Sequence, residues 1–441
     1  MMTKTWQGYF WLASYLALIL APLLVLSLAS GPAKNGFLWD VGIALGFSAL
    51  VMLVLQFFIT ARLRKPAAPF GMDVIYYFHR CLGYALLTVA LAHPMLLVIS
   101  KPAIVTEFSL QSLTWAIVSG LLALLLMVLI VVTAVWRKLF KLPYDIWRIV
   151  HLLMSLGVIA LAFAHMRTID YYSATPMVYV LWGVIALSAL GIVIFVRVLR
   201  PLQLLRQPWQ VAAVKKERSN CWTLTLKPEG HPGLKFMAGQ FAWLSLKHSP
   251  FVMQEHPFSI SNAPGQDGSV QFTIKELGDF TSSIGETRPG ARAYIDGPYG
   301  IFSTERHPEA PGFVFISGGI GLAPIFGMLQ AAALRADARP HILFTAHSEW
   351  DRVPRREELV ELEKNMSLTL IPVLEEAPSE DWEGETGYID HEMLSKHLPD
   401  TYRDYQFFMC GPQVMLAAVR DALAALDVPS DHIHSELFEM A

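Results

Sequence analysis

Charge is scarce in this chain. Only 16% of its 441 residues are Asp, Glu, Lys or Arg, against roughly 25% in an ordinary soluble domain. The deficit is local: nearly all the long apolar runs lie in the first 200 residues, and the remainder reads as soluble and globular. A basic excess is also missing. The formal net charge of −3 excludes the basic face that nucleic acid requires. Cysteine is scarcer still. Cys81, Cys221 and Cys410 lie far apart, which excludes a disulfide framework and a cysteine metal site and leaves the soluble half in a reducing cytoplasm.

What is present is apolar length. A membrane span needs about 20 mostly apolar residues, and six stretches supply them: Trp6–Ala29, Phe37–Thr60, Val74–Ser100, Leu113–Trp136, Ile146–His165 and Met177–Leu199. The first is followed by the small residues "SLASGPA". Its apolar run nevertheless exceeds the roughly 7–15 residues of a signal-peptide core, so we read it as an uncleaved span. Basic clusters occupy alternate loops, "ARLRKP" (61–66), "WRKLFK" (136–141) and "RVLRPLQLLR" (197–206), while the other loops hold single charges around Lys34, Lys101 and Arg167. The positive-inside rule then puts both termini in the cytoplasm of a multi-pass cell-membrane protein.

Every histidine in the first 200 residues falls in the third or fifth of these spans. His79 and His93 are one pair, His151 and His165 the other, with identical spacing. Fourteen helical residues rise about 21 Å and return almost to the starting face, so each pair points one way, with one member near each side of the membrane. Both spans run outward, which levels His79 with His151 and His93 with His165. Two imidazoles facing each other suit axial ligation of a haem iron, and two levels imply two b-type haems. The absence of CxxCH excludes covalent c-type attachment. Arg80 and Arg148 flank the inner pair; they either meet haem propionates or snorkel to headgroups.

Beyond "RPLQLLRQP" the pattern shortens and alternates. "WQVAAVKK", "CWTLTLK", "QFAWLSLK", "SVQFTIKEL" and "ARAYIDG" predict strands of a small antiparallel β-barrel from about 207 to 303. From about Pro311, "GFVFISGG", "HILFTAH", "LTLIPVL" and "FFMCGP" alternate with helical segments near 355–364 and 414–426, which predicts a parallel sheet with its ligand at the carboxyl edge. "SGGIGLAP" (317–324) joins the first of those strands to a helix. Its glycines let backbone approach a pyrophosphate at the helix start, although it is not the GxGxxG fingerprint. "CGP" (410–412) would border the same cleft.

In order and spacing, the two histidine pairs, "HPFS" (256–259), "IKELGDFTSS" (274–283), "DGPYG" (296–300), "SGGIGLAP", "CGP" and a near-terminal "ELF" (436–438) resemble the ferric reductase and NADPH oxidase superfamily. Its soluble half is similar to ferredoxin–NADP reductase. The resemblance covers nearly the whole chain and implies three domains: 1–203 spanning the membrane with two haems, 204–305 an FAD-binding barrel, and 306–441 an NAD(P)H-binding α/β domain. It makes His256, Pro257, Phe258 and Ser259 the flavin strand, with Phe258 flanking the isoalloxazine and Ser259 near N5. Lys275, Gly278, Thr281 and Ser282 match the second FAD segment, whose helix start would hold the pyrophosphate. Gly318, Gly319, Gly321 and Pro324 match the dinucleotide loop, Cys410, Gly411 and Pro412 the nicotinamide side, and Phe438 the aromatic that covers the flavin. Ser259, Cys410 and Phe438 are thus the expected catalytic set.

One departure leaves the donor open between NADH and NADPH. Where NADPH-preferring relatives place Ser–Arg, this chain has "TAHSEWDRVPRR" (345–356), with His347 near the expected Arg. Arg352, Arg355 and Arg356 could hold a 2′-phosphate, or Glu349 or Asp351 a ribose hydroxyl. The expected activity takes hydride from NAD(P)H to FAD, then single electrons through the inner and outer haems to dioxygen or a ferric chelate outside. No protein partner is required. A membrane-anchored flavin reductase, or an electron-transfer subunit serving a protein, is the alternative. A transporter with a regulatory nucleotide domain would leave "HPFS" and "IKELGDFT" without a purpose.

Overall fold

A computed structural model describes residues 4–28, 35–63, 71–107, 113–169, 176–246, 248–265, 267–377, 379 and 382–436. These residues form two compact units, the first running to Arg200 and the second from Pro201 on, with 71–73 at the start of the third long helix grouped with the second.

The first unit contains six helices long and apolar enough to cross a membrane: α1 Lys4–Leu28, α2 Phe37–Thr60, α3 Met72–Ser100, α4 Trp115–Val135, α5 Tyr144–Ile169 and α6 Pro176–Ile194. The last continues through a π-helical turn, Phe195–Leu199, into Arg200–Leu205. α2 is the most enclosed, with Phe47 to Val54 and Gln56 all buried. An apolar face all round is what an enclosed helix carries. Its core partners include Leu86, Met127, Val158, Val178 and Trp182 from the other helices.

The second unit holds two six-stranded sheets. Strands β1 Trp209–Lys216, β2 Cys221–Pro228, β3 Phe241–Leu246, β4 His256–Ser259, β5 Val270–Lys275 and β6 Arg292–Tyr299 are ordered β4-β3-β6-β1-β2-β5, with antiparallel pairing throughout. Alternation fills their core with Trp209, Leu224, Leu244, Phe272 and Ile295. A one-turn helix, α7 Asp279–Ser282, follows β5.

The other sheet takes β7 Phe313–Gly318, α8 Leu322–Leu334, β8 His341–His347, α9 Arg356–Asn365, β9 Leu368–Leu374, β10 Glu385–Thr386, α10 His391–His397, β11 Gln406–Cys410, α11 Gln413–Ala425 and β12 Ile433–Glu436. Its order, β10-β9-β8-β7-β11-β12, is parallel. The near-continuous apolar runs of β7 and β11 are buried along their whole length, as a sheet covered on both faces requires. The strand order reverses beside β7. Such a switch point is where an open α/β sheet binds its ligand.

Candidate functional site

The histidine pairs meet. The rings of His79 and His151 have centroids 6.4 Å apart with planes at 64°, and those of His93 and His165 are 6.3 Å apart at 81°. α3 and α5 therefore lie side by side and run in the same direction. At each level the spacing has a simple meaning. A ring nitrogen bonds a metal at about 2 Å and lies about 1.1 Å from its own centroid, so two imidazoles sharing one iron have centroids about 6.3 Å apart.

The levels differ in what holds the rings. His93 Nδ1 lies 2.7 Å from the Gly42 carbonyl, and His165 Nδ1 lies 2.6 Å from the Ala116 carbonyl. A carbonyl only accepts, so each Nδ1 carries the proton and each Nε2 is left bare. Nδ1 of His79 and of His151 has no hydrogen-bond partner among the described residues. Trp147 lies over the His151 ring at 5.1 Å. Arg148 has its guanidinium over Tyr144, 5.5 Å from the ring centroid, and Arg80 lies over Tyr77 at 5.2 Å.

In the barrel, β4 brings His256, Pro257, Phe258 and Ser259 onto one edge of the sheet. Ser259 Oγ is buried and has no partner among the described residues, an arrangement that costs about 1–3 kcal/mol unless a ligand completes it. Phe280, which sequence reasoning passed over, stacks on Phe258 with centroids 6.0 Å apart at 16° and lies 4.1 Å from the His256 ring. It ties α7 to β4. The Thr281 hydroxyl accepts from the Leu277 and Gly278 amides at 2.8 and 2.9 Å. Those two amides are thus engaged within the chain, and Thr281 shapes the turn at the start of α7.

At the switch point the two glycine motifs come together. A Cβ on Gly321 would lie 2.1 Å from the Cys410 carbonyl oxygen, and one on Gly318 would lie 2.9 Å from Pro412 and 2.7 Å from Met415. Gly319 adopts φ +56°, the left-handed conformation that glycine tolerates best. Cys410 is fully buried, and burial pushes its thiol well above the usual range. Beside it, Ser317 donates to Thr345 at 3.0 Å, and His347 Nε2 lies 3.1 Å from the same hydroxyl.

Gly300 marks one of the places where the barrel meets the parallel sheet. A Cβ on Gly300 (φ +95°) would lie 3.2 Å both from the Phe241 ring and from Glu436 Oε1. Phe241 pairs with Ser259, and Glu436 pairs with Cys410. The "HPFS" strand end and the "CGP" strand end therefore border one junction. Phe438 lies outside the described residues.

The arginines after β8 are all engaged. Arg352 bonds Glu349 at 2.8 Å, and Arg356 pairs with Asp351 and Glu357. Arg355 is buried. It donates to the Ser261 carbonyl at 2.8 Å and to Glu358 at 2.5 Å, and its guanidinium lies 3.9 Å from the Phe326 ring centroid. It therefore serves as a strap between α9 and the barrel.

Three family models match the chain in order: "Ferric reductase like transmembrane component" over 45–162, "FAD-binding domain" over 207–303 and "Oxidoreductase NAD-binding domain" over 315–421. The chain belongs to the ferric reductase and NADPH oxidase superfamily of oxidoreductases. It is similar to a flavohemoprotein of Oceanobacillus iheyensis, 27% identical over 51% of this chain and 56% of the relative. It is also similar to the electron transfer subunit of a probable dihydroorotate dehydrogenase B (NAD(+)) of Methanopyrus kandleri, 30% identical over 50% of this chain and 76% of that one. Among solved structures, a ferredoxin reductase in carbazole 1,9a-dioxygenase matches at 25% identity over 53% of this chain and 69% of its own, with a TM-score of 0.45. The chain spans about half the length of several curated relatives, between 47% and 59% of each.

Proposed function

We propose that this protein moves electrons across a membrane, from NAD(P)H on the cytoplasmic side to a small acceptor outside, either dioxygen or a ferric chelate. The observation that carries the reading is the pair of imidazole couples, 6.4 and 6.3 Å between centroids, in a chain that also has FAD- and NAD-binding domains. Bound FAD would convert a hydride into single electrons, and two b-type haems, held by His79 with His151 and by His93 with His165, would carry them through the lipid. The ring spacing and the bare outer nitrogens fit iron porphyrin. The buried hydroxyl of Ser259, without a partner, fits a flavin.

The roles of the remaining residues follow from their chemistry. Gly318 ends β7, Gly319 and Gly321 lead into α8 and Pro324 lies in its first turn, where backbone can approach a pyrophosphate and the helix terminus favours its charge. Cys410, Gly411 and Pro412 wall the nicotinamide side, and the protonated thiol of Cys410 keeps charge out of it. His256 and Phe258, braced by Phe280, flank the flavin, with Lys275, Gly278, Thr281 and Ser282 at its phosphates. Phe438, the aromatic of the family's near-terminal motif, would cover the ring. We assign residues 1–203, 204–305 and 306–441 to the three modules, with the basic loops and both termini in the cytoplasm.

The test uses the purified full chain supplied with haem and FAD. The expected result is a Soret band with paired-imidazole low-spin features that NAD(P)H reduces. His79→Ala or His151→Ala should remove about half of the band and stop reduction of the other half. Activity that requires air, with superoxide formed, identifies dioxygen as acceptor; activity unchanged under nitrogen with ferric chelate identifies iron. A chain that binds flavin but shows no Soret band would instead be a membrane-anchored flavin reductase.

A further inference from the structure

α2 and α4 contribute no histidine to either pair, yet each touches one. On α2, the Gly42 carbonyl accepts from His93 Nδ1, and four residues on, a Cβ at Gly46 would lie 2.9 Å from that same Nδ1 and 3.0 Å from Cε1. On α4 the arrangement recurs. The Ala116 carbonyl accepts from His165 Nδ1, and a Cβ at Gly120 would lie 2.7 Å from that Nδ1 and 2.8 Å from Cε1. Residues four apart share a helix face. Each helix thus presents a carbonyl and, one turn later, a gap of one methyl group in which an imidazole lies.

We propose that these are two ligand cradles, Gly42 with Gly46 for His93 and Ala116 with Gly120 for His165, and that they set the outer histidine pair alone. The inference rests on the two-haem reading above. The cradle does two things. The missing Cβ admits the ring edge-on, which fixes its rotation about its own bond to the chain. The carbonyl fixes the tautomer, directing Nε2 to the metal, and by accepting the Nδ1 proton makes the imidazole a stronger donor, as partners of ligating histidines do. A stronger donor favours ferric iron, so the cradle lowers the midpoint potential of the outer site. Nδ1 of His79 and of His151, without a partner among the described residues, receives no such support, so the two sites are electronically unequal. Gly46 and Gly120 are positioning residues; they act through the histidines.

The experiment compares the full-length protein with Gly46→Ala and Gly120→Ala, and uses Gly183→Ala on α6 as control, since a Cβ there meets nothing within 4 Å. The readouts are low-temperature electron paramagnetic resonance of the ferric protein and an optical redox titration. Wild type should show two low-spin signals, strongly anisotropic because the ring planes cross at 64° and 81°. Each cradle variant should move or abolish one signal, the same one in both, and raise the midpoint of that site while the other stays fixed. The signal that moves must be the one lost in His93→Ala and retained in His79→Ala. Unchanged signals and midpoints in both variants overturn the proposal, as does movement of the His79 signal. Loss of both haems in either variant, with both retained in Gly183→Ala, also overturns it, because the glycine would then support the whole bundle. A wild-type protein without any Soret band fails the two-haem reading itself, which separates the two outcomes.

Discussion

His347 ends β8 beside the switch point, and burial, with the positive charge of Lys275 as a smaller cause, lowers its pKa from the usual 6.5 to about 4. The folded protein therefore keeps this ring neutral where the unfolded chain would protonate it. A depressed histidine pKa contributes stability that is intact above about pH 6.5 and is lost as pH falls toward 4. At about 1.4 kcal/mol per unit, the loss amounts to a few kcal/mol at most. We expect His347→Gln to flatten the fall in unfolding temperature between pH 6.5 and 4.5; an unchanged slope would mean that the ring does not titrate in this window. The neighbouring arginines lead to a second expectation. Glu349 and Asp351 answer Arg352 and Arg356, and Arg355 is spent on Ser261 and Glu358, so little cationic charge remains for a 2′-phosphate. NADH should exceed NADPH in kcat/KM by about tenfold, the worth of one interaction of about 1.4 kcal/mol. Glu349→Gln, which releases Arg352, should narrow the ratio. Steady-state kinetics with both donors decide it.

At the scale of elements, the barrel and the parallel sheet are held by a short seam. Arg355 reaches Ser261, Gln330 Oε1 accepts from the Ala263 amide at 2.9 Å, and a Cβ on Gly327 would lie 3.1 Å from the Ile260 carbonyl. Outside it, Arg218 bonds Glu357 at 2.5 Å and Lys215 bonds Glu358 at 3.1 Å, both exposed to solvent and so worth little. Arg355→Met should lower the flavin-release temperature by an amount equivalent to about 1–3 kcal/mol, since it orphans the buried Ser261 carbonyl. Arg218→Met should shift it hardly at all. None of this seam was legible in the sequence, where Arg355 reads as one of three candidate phosphate ligands; its burial depends on Phe326 and Ser261, remote in the chain. The long elements were legible because their periodicity is strong: six apolar runs, and strands such as "GFVFISG" and "HILFTAH". β10, β12 and α10 were not. Two to seven residues carry too little pattern, and β12 ("IHSE") is a strand only because β11 offers it a parallel edge. The histidine pairing was visible because a fourteen-residue repeat survives translation into helix geometry. The cradle glycines were invisible, since a glycine in an apolar span gives no sign of which ring will fill its gap.

For the whole molecule, cysteine, so sparse in the sequence, provides a gauge of opening. Cys410 is fully buried at the end of β11, and Cys221 is buried in β2 with its thiol pushed up to about 11. Cys81 is exposed on α3, a helix long and apolar enough to cross a membrane, where a bilayer would keep polar reagents from it. Thiolate is the reacting form, so a polar alkylating reagent at neutral pH should label the intact protein almost nowhere. Label appearing at Cys221 would time the unravelling of the barrel, and label at Cys410 the parting of the strand ends at the switch point. If Cys410 reacts first and a saturating dinucleotide slows it, the seam opens before either domain melts, and two sulfur atoms will have reported the order in which the machine comes apart.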